Sequence, residues 1–447
     1  MTLQQQQELE STYMVPTFAR KPVCLVAGQG MHVQDDEGAD YLDFIGGIGV
    51  CSLGHCHPKV VDAIQRQAAK LMHVSNYYYI EQRGEVAKLL SDALNCRLPA
   101  GASRTAEGPR GSDRLRSLDG RRIPSPDPEH PGFLRAREVS AGGECNWQSF
   151  FANSGTEANE CMIKLARLYA KKRGNGGTTI ITLDGSFHGR TMETLAATAQ
   201  PVKQESFQPL PGGFTHIKPN DMGQLNTCFD RLGDDICAFM FEPIQGESGV
   251  HPCTPEYLQA AAYLCERAGA LMIADEVQTG MYRTGTPYAF QQLGIVPHIV
   301  SSAKGIADGF PMGACSAREE IAEAFAPGDH GSTFGGSNLA MAAAHATLHA
   351  LKDEGIAENA AEVGAYLRSQ LSGLSFVTEV RGLGLMVGAD LEEGIDAHAI
   401  VLAGLDEGLL LNATGPHTLR FLPPLICTKA DVDVLMKKLA QLGRSSR

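Results

Sequence analysis

The sequence contains no run of 18 or more apolar residues, so we expect no membrane-spanning helix. Its first ten residues, MTLQQQQELE, lack the basic and then apolar pattern of a secretion signal, which favours a cytoplasmic location. Basic residues are outnumbered by acidic ones, and the net charge of -13 argues against a general nucleic-acid-binding protein. The twelve cysteines are scattered and mostly lie inside apolar runs, and without a secretion signal we expect them to be reduced thiols.

A metal site also has little support in the sequence. Cys51, His55, Cys56 and His57 lie close together and resemble part of a zinc site. No second pair of ligands follows at a suitable spacing, so we predict that the protein binds no metal.

The pattern of apolar residues between positions 147 and 317 predicts an α/β fold. Five strand-like runs, WQSFFA, TTIITL, ICAFMF, ALMIAD and HIVSSA, alternate there with helical stretches. Continuous apolar strands that alternate with helices indicate a mainly parallel sheet that is covered on both faces. After residue 331, an alanine-rich helix and further strands predict a smaller α/β domain. The length of 447 residues fits one large domain with such an appendage.

Residues 97–146 interrupt this alternation. The segment is rich in glycine, proline, serine and arginine and has few large apolar residues. Because it cannot bury enough apolar surface to offset the entropy lost on ordering, we predict a flexible insertion that leaves the sheet undisturbed. The alternative is a lid or a partner-binding arm.

Two residues at predicted strand ends carry the main functional hypothesis. Asp275 ends the run ALMIAD, and Lys304 follows the run HIVSSA. In open parallel sheets, ligands bind beyond the carboxyl ends of the strands. A lysine that forms a Schiff base and an aspartate that pairs with a pyridinium nitrogen are the groups that a pyridoxal phosphate enzyme needs. Taken alone, the two residues fit more simply a surface lysine and a helix-capping aspartate.

Two further segments suit the binding of a phosphate. Ser154, Gly155 and Thr156 follow WQSFFA at a predicted helix start, where backbone N–H groups and the helix dipole favour an anion. For this motif alone, a plain helix N-cap is the simpler interpretation. Ser332 and Thr333, which lie between glycines in HGSTFGGS, are a second candidate contact.

The residues that follow the run TTIITL could contact the aromatic ring of a cofactor and the carboxylate of its substrate. Phe187 follows this run and could stack on a ring, and Arg190, three residues later, could bind a carboxylate. Four such clusters follow the predicted strands WQSFFA, TTIITL, ICAFMF and ALMIAD, and a fifth is the loop HGSTFGGS. Each is suited to a different part of one ligand.

The runs NSGTEANE, FHGRT, EPIQGE, DEVQTG, AKG and GSTFGG, in this order, resemble those of the class III (ω-amino) aminotransferases. The resemblance covers nearly the whole chain apart from residues 97–146. It implies the fold type I architecture of pyridoxal-phosphate-dependent transferases, an α/β fold with a mainly parallel, seven-stranded-type sheet and a smaller α/β domain. It also implies a homodimer with shared active sites. The expected domains are an N-terminal segment (1–57) that contributes to the small domain, a large cofactor-binding domain (58–330) and a C-terminal small domain (331–447).

The resemblance further implies a role for each residue of the cofactor site. Lys304 would be the Schiff-base lysine and Asp275 the partner of the pyridinium nitrogen. The remaining cofactor-binding residues would be Ser154, Gly155, Thr156, Phe187, Glu276, Val277, Gln278 and, from the neighbouring subunit, Thr333.

The substrate residues implied by the resemblance are Arg190, Ser332, Glu247 and Arg420. Glu247 and Arg420 would form a switching pair, in which the arginine is masked for one substrate and freed to bind the carboxylate of the other. The alternative for this pair is a structural salt bridge.

The runs VPTFARKPV, CSLGHCHP, GDHGSTFGG, VRGLGLMVG and LRFLPPLI most resemble the family members of arginine biosynthesis that act on N-acetylornithine with 2-oxoglutarate as acceptor. Phe18 stands where such enzymes often have a tyrosine, and Ile48 stands where ornithine-specific members have one. The smaller, apolar Ile48 favours an acylated ornithine over ornithine. Ala307 and Asp308 replace the usual paired glycines, with no predictable effect.

Other functions stay open at this point. Succinylornithine, ornithine and 4-aminobutyrate are alternative amino donors, and an aminomutase or racemase is an alternative activity. A non-catalytic, cofactor-binding regulator is disfavoured by the intact set of Lys304, Asp275 and Arg190.

Overall fold

The structure, a computed structural model, describes residues 1–96, 145–174 and 176–445. The predicted insertion at 97–146 therefore lies outside the described residues, apart from its last two. The N-terminal part contains α1 (Leu3–Tyr13), β1 (Leu25–Gln29), β2 (His32–Asp35), β3 (Asp40–Asp43), α2 (Gly46–Gly49), α3 (Pro58–Lys70) and α4 (Arg83–Leu94).

The middle part alternates strands and helices, as the sequence predicts. Its elements are β4 (Trp147–Ala152), α5 (Gly155–Arg173), β5 (Thr179–Leu183), α6 (Met192–Ala197), α7 (Pro201–Gln204), β6 (Phe214–Ile217), α8 (Met222–Leu232), β7 (Ile236–Phe241), β8 (Ile244–Gln245), β9 (His251–Pro252), α9 (Pro255–Ala268), β10 (Leu271–Asp275), β11 (Ile299–Ser302), β12 (Gly313–Arg318) and α10 (Glu319–Ala322). The sequence signals at the helix ends are conventional. For example, Thr254 caps α9, proline occupies its first position, and Gly269 ends it with a left-handed φ of 64°.

The C-terminal part contains two long helices, a small sheet and a last helix. Its elements are α11 (Asn338–Asp353), α12 (Ile356–Ser372), β13 (Val377–Leu383), β14 (Met386–Leu391), α13 (Ala397–Asp406), β15 (Leu409–Leu410), β16 (Asn412–Ala413), β17 (Thr418–Phe421) and α14 (Lys429–Ser445).

Seven strands form the central sheet, in the order β4-β12-β11-β10-β7-β5-β6. All strands are parallel except β12, which runs antiparallel to both of its neighbours. Every residue of β5, β7, β10 and β11 is buried, because helices cover both faces of the sheet. The predicted mainly parallel α/β sheet is thus confirmed.

A second sheet joins the two ends of the chain. The antiparallel strands β1, β2 and β3 are extended by β15, which pairs with β3 in parallel register, Leu409 beside Leu42 and Leu410 beside Asp43. The strands β13, β14, β17 and β16 form a separate antiparallel sheet. The predicted domain boundaries stay predictions. Within the described ranges, no helix is both long and apolar enough to cross a membrane.

Candidate active site

Five strands of the central sheet, β4, β5, β7, β10 and β11, run in the same direction and end at one edge. A pocket of about 370 Å³ lies at this edge. The predicted site residues that line it are Ser154, Gly155, Thr156, Phe187, Arg190, Asp275, Val277, Gln278 and Lys304. Residues that are far apart in the sequence therefore meet where the topology of an open parallel sheet places ligands.

Lys304 follows β11 and begins a short 3-10 helix, Lys304–Ala307. Its φ of 49° lies in the left-handed region, which is strained by roughly 1–2 kcal/mol for a residue with a side chain. Such strain concentrates at active sites, where the surrounding structure enforces it. Burial lowers the pKa of the Lys304 amine below its ordinary value, although Glu247 opposes this shift. A lowered pKa increases the fraction of neutral amine that can accept a proton.

Asp275 is 4% exposed, and its carboxylate accepts four hydrogen bonds. Oδ2 accepts from Nδ2 of Asn159 at 2.7 Å and from Nδ1 of His188 at 2.8 Å. Oδ1 accepts from the backbone N–H of Val277 at 3.1 Å and from Oγ of Ser301 at 3.3 Å. Every donor stabilises negative charge on this carboxylate.

The sequence analysis assigned no role to His188 or Asn159. Both side chains are almost fully buried, and Nε2 of His188 and Oδ1 of Asn159 have no hydrogen-bond partner among the described residues. A signal for Asn159 was present, because a residue four positions after Gly155 lies on the same face of a helix. His188 directly follows Phe187, but its contact with Asp275 could be found only from the fold.

The start of α5 is shaped to admit an anion. Ser154 is the N-cap, and its Oγ accepts a hydrogen bond from the N–H of Glu157 at 3.3 Å. The first N–H groups of a helix have no partner within it. A Cβ atom at Gly155 would lie 2.8 Å from Val277, so only glycine allows the helix start and this side chain to meet. The simple N-cap interpretation therefore holds for the Ser154 side chain, while the backbone beside it faces the pocket.

The ring of Phe187 lies near two cations. The guanidinium of Arg190 is 5.5 Å from the ring centroid, and the amine of Lys203 is 5.6 Å from it. The backbone N–H of Phe187 donates to Glu242 at 2.8 Å, which fixes the start of this loop. Burial raises the pKa of Glu242 to about 7. Glu242 and Lys203 were not predicted as site residues, although Glu242 directly follows a predicted strand.

Glu247 and Arg420 form an ion pair beside Gln278. Nη1 of Arg420 donates to Oε1 of Glu247 at 2.6 Å, and Nε2 of Gln278 donates to the same oxygen at 3.3 Å. Nε of Arg420 also donates to Asn412 at 3.0 Å. Burial alone would raise the pKa of Glu247, but the charges of Arg420 and Lys304 bring it below its ordinary value. The pair therefore lies within electrostatic reach of the lysine.

The structure does not bring Glu276 to the pocket. Its buried carboxylate accepts from the hydroxyl of Thr279 and from the N–H groups of Ala289 and Phe290, so it holds the following loop. Desolvation by this burial raises the pKa of Glu276 to about 7.

Six further predicted residues also lie outside the pocket lining: Glu247 and Arg420, which reach it through Gln278, and Ser332, Thr333, Phe18 and Ile48. Oγ of Ser332 contacts Asn153 at 3.1 Å, and Thr333 is exposed. Phe18 is 75% exposed, and Ile48 is 42% exposed with a left-handed φ of 65°.

Asp308, the unusual residue near the lysine, ties two segments together. It has a left-handed φ of 44°, and its Oδ1 accepts from the N–H of Leu53 at 2.8 Å. Burial raises the pKa of Asp308 to about 6. Nearby, Nε2 of His55 lies 2.8 Å from Asp43. In the part of the chain that the structure describes, no three His, Cys, Asp or Glu side chains are arranged to hold a metal ion.

The fold and this pocket define a pyridoxal-phosphate-dependent aminotransferase. The sequence model of the family Aminotransferase class-III matches residues 15–101 and 136–442, and the chain belongs to this family. Residues 102–135 separate the two matched segments and lie within the predicted insertion.

Curated relatives extend over nearly the whole chain. The acetylornithine aminotransferase of Caldanaerobacter subterraneus subsp. tengcongensis is 41% identical over 96% of this chain and 97% of its own length. That of Methanocaldococcus jannaschii is also 41% identical, over 97% of each. Among solved structures, the ornithine aminotransferase from Toxoplasma gondii ME49 has a TM-score of 0.83 at 27% identity, over 100% of this chain and 96% of that one. The N-acetylornithine aminotransferase from Stenotrophomonas maltophilia K279a has a TM-score of 0.74 at 33% identity, over 98% of each chain.

Proposed function

We propose that this chain is an acetylornithine aminotransferase of arginine biosynthesis. It transfers the terminal amino group of N-acetylornithine to 2-oxoglutarate and yields N-acetylglutamate semialdehyde and glutamate in a ping-pong reaction. The relatives named acetylornithine aminotransferase support the substrate assignment. The observation that carries the proposal is the Glu247–Arg420 pair next to Gln278, because a site for two substrates needs a cation that can be masked.

The residues of the pocket fit pyridoxal phosphate. Gly155 has no Cβ atom, so it can lie close to Val277. The start of α5 therefore stays open to a phosphate. Asp275 offers a buried carboxylate for a protonated ring nitrogen, and Phe187 and Val277 offer apolar surfaces for a flat ring. When bound, the cofactor supplies a carbonyl group that takes up the amine and a ring that withdraws electrons from the adjacent C–H bond.

The residues of the chain then have separate tasks. Asp275, with its four donors, holds a negative charge at the inner end of the pocket. Lys304 accepts a proton from the substrate carbon and later donates it to a different atom. Its lowered pKa suits both transfers. Gln278 and Val277 orient the ring, and Arg190 binds the carboxylate of the substrate that lies farther from the reacting carbon.

The Glu247–Arg420 pair selects between the two substrates. With the pair intact, the charge of Arg420 is neutralised and the terminal amine of N-acetylornithine meets no free cation. When Glu247 turns away, Arg420 binds the carboxylate next to the reacting carbon of 2-oxoglutarate. Ile48 and Phe18 lie outside the pocket lining, so the substrate contacts proposed for them rest on the resemblance to the family alone.

We also propose that the enzyme is a cytoplasmic homodimer with shared active sites. Tyr77, Tyr79 and Phe334 are strongly exposed aromatic residues, as expected of an uncovered interface. Asn76 donates to the carbonyl groups of Ser332 and Gly335, so this aromatic loop and the loop of Thr333 form one surface. Thr333 would then serve the pocket of the partner subunit. All twelve cysteines are free thiols, which fits a reducing compartment.

Mixed dimers test the shared site. Homodimers of Lys304→Ala and of Thr333→Ala should both be impaired, whereas a heterodimer contains one site with both native residues. Mixing the subunits should therefore raise activity above the mean of the two parents. A monomer in light scattering, or mixing without any gain, would contradict the proposal.

A panel of amino donors tests the substrate assignment. Purified protein with pyridoxal phosphate is assayed with acetylornithine, succinylornithine, ornithine and 4-aminobutyrate, each with and without 2-oxoglutarate. We expect the highest kcat/KM for acetylornithine, and only in the presence of 2-oxoglutarate. A higher kcat/KM for another donor would reassign the substrate, and turnover without a keto acid would indicate a mutase or racemase.

A further inference from the structure

Two thiols meet on the face of the central sheet that packs against α5. Cys161 in α5 and Cys315 in β12 are both buried and pack in the same apolar cluster between this helix and the sheet. They line a second pocket of about 160 Å³, whose wall includes the exposed Gln148 and therefore reaches the protein surface. This pocket shares no lining residue with the pocket of Lys304.

His330 lies close enough to Cys161 to contribute to the lowering of its pKa. Its Nδ1 lies 3.0 Å from Nζ of Lys164, and a lysine ammonium only donates, so Nδ1 accepts. The ring centroids of Phe150 and Phe325 lie 4.6 Å and 5.9 Å from the centroid of the His330 ring, and these contacts fix the orientation of the imidazole.

These contacts distinguish Cys161 from other buried cysteines. The Cys315 thiol, joined by His330, lowers the pKa of Cys161 despite its burial. Burial instead raises the pKa of both Cys237 and Cys253 to about 12. The lowered pKa of Cys161 favours its thiolate, which is the reactive form of a cysteine.

We propose that Cys161 and Cys315 form a redox-active dithiol that a peroxide oxidises to a disulfide. The Cys161 thiolate attacks one oxygen of hydrogen peroxide, the O–O bond breaks, and the released hydroxide takes up a proton to leave as water. The resulting sulfenic acid at Cys161 then reacts with the Cys315 thiol. The S–O bond breaks, an S–S bond forms and a second water is released, so that the two thiols lose two electrons to the peroxide.

The dithiol is connected mechanically to the cofactor site. Cys161 lies six residues after Gly155 in α5, and Cys315 lies two residues after Gly313 at the start of β12. A Cβ atom at Gly313 would come within 2.3 Å of the carbonyl oxygen of Ser154, so α5 and β12 already touch at the edge of the pocket. The sulfur atoms of a disulfide are only about 2.0 Å apart, and reaching this distance draws the two elements together. Packed interiors transmit such shifts.

Peroxide treatment of the holoenzyme, followed by peptide mapping without reduction, tests the proposal. We expect a cross-linked peptide pair that contains Cys161 and Cys315, and a reversible loss of turnover. A displacement of about 1 Å at a catalytic site can lower turnover by on the order of 100-fold, so a clear decrease is expected that dithiothreitol restores. The exposed Cys56 and Cys96 serve as internal references, because oxidation there alone would overturn the proposal.

Three variants sharpen the test. Cys161→Ser should prevent the cross-link, and Cys315→Ser should leave a sulfenic acid at Cys161 that a dimedone reagent captures. His330→Gln, which removes a positioning residue, should slow the oxidation and shift its pH dependence upwards. Oxidation of Cys315 in the Cys161→Ser variant at the rate of the native protein would show that Cys161 is not the attacking thiol. A cross-linked enzyme with unchanged turnover would overturn the connection to the cofactor site.

Discussion

The inner end of the pocket, around Asp275, and its outer end, around Arg190 and Arg420, are held by different means. Asp275 is 4% exposed and accepts four hydrogen bonds from elements at the edge of the central sheet. At the outer end, Arg190 is exposed, and Glu247 has a side chain that is 27% exposed. Asp275 is therefore fixed by packing, and so is Arg420, which is 3% exposed, whereas Arg190 and Glu247 have room to change partners.

In the proposed mechanism, this difference separates the chemistry from the choice of substrate. Proton transfer requires positions that are fixed within fractions of an ångström, which buried and fully bonded groups provide. Two substrates of different shape require cations that can be masked and freed. Relatives named for acetylornithine and for ornithine share this fold, as expected if substrate choice depends on a few residues of the outer end.

The largest expected effect comes from removing the amine at the inner end. Lys304→Ala should lower kcat by on the order of 10⁴-fold, because no other group replaces its acid and base functions. Steady-state assays with acetylornithine and 2-oxoglutarate measure this loss. The exposed Lys59, which pairs with Glu354 on the surface, gives the matched control Lys59→Ala. A Lys304→Ala variant with more than a tenth of the native kcat would remove the lysine from the mechanism.

A second inner-end variant compares two adjacent carboxylates. Asp275→Asn keeps the shape but removes the charge, and we expect kcat to fall by on the order of 10³-fold. Glu276→Gln should instead keep most of the turnover and lower the free energy of unfolding by about 1–3 kcal/mol, because its partners are backbone groups of a loop. Kinetics and thermal unfolding of both variants measure the contrast. Equal losses of turnover would support the predicted cofactor role of Glu276.

At the outer end, we expect a smaller and one-sided effect. Glu247→Gln removes the charge that neutralises Arg420, so the half-reaction with acetylornithine should slow by about tenfold while that with 2-oxoglutarate changes little. Stopped-flow absorbance follows each half-reaction separately. If both half-reactions slowed equally, Glu247 and Arg420 would form a structural salt bridge.

The smallest expected effect is a pH-dependent change in stability at Asp308. Its folded-state pKa of about 6 is above the ordinary value of 3.8, so the native state binds more protons between these values and wild-type stability falls as pH rises through this window. Asp308→Asn removes this penalty and still tolerates the left-handed backbone. We expect it to be more stable than the wild type by on the order of 1 kcal/mol at pH 8. Thermal unfolding at pH 8 and pH 4 measures the difference, which should vanish at pH 4.

The sequence predicts the parts of the fold whose signal is local. β7 and β10 are predictable because each is a nearly continuous apolar run, and β5 and β11 because apolar residues alternate with helical stretches along the chain. β12, with the sequence GACSAR, was not among the predicted strands, because its small residues have no strand-like pattern and its burial depends on packing between β4 and β11. Asp275 and Lys304 could be predicted from their positions at strand ends.

Other features of the site depend on contacts between distant segments. The bond from His188 to Asp275 joins residues 87 positions apart, so no local pattern indicates it. Glu276 is adjacent to a pocket residue in the sequence, but its side chain points to the following loop, because neighbouring residues on an extended backbone face opposite sides. The resemblance to a family identifies positions such as Glu276, but it does not show in which direction each side chain points.

The pairing of β15 with β3 has a consequence for synthesis on the ribosome. The strand at residues 40–43 finds its parallel neighbour only at residues 409–410. At a translation rate of about 5–20 residues per second, the strands β1, β2 and β3 are complete roughly 20–70 s before that partner is translated. Until then the edge of β3 that will pair with β15 has unpaired backbone groups. A nascent chain held at this stage is therefore a natural substrate for chaperones.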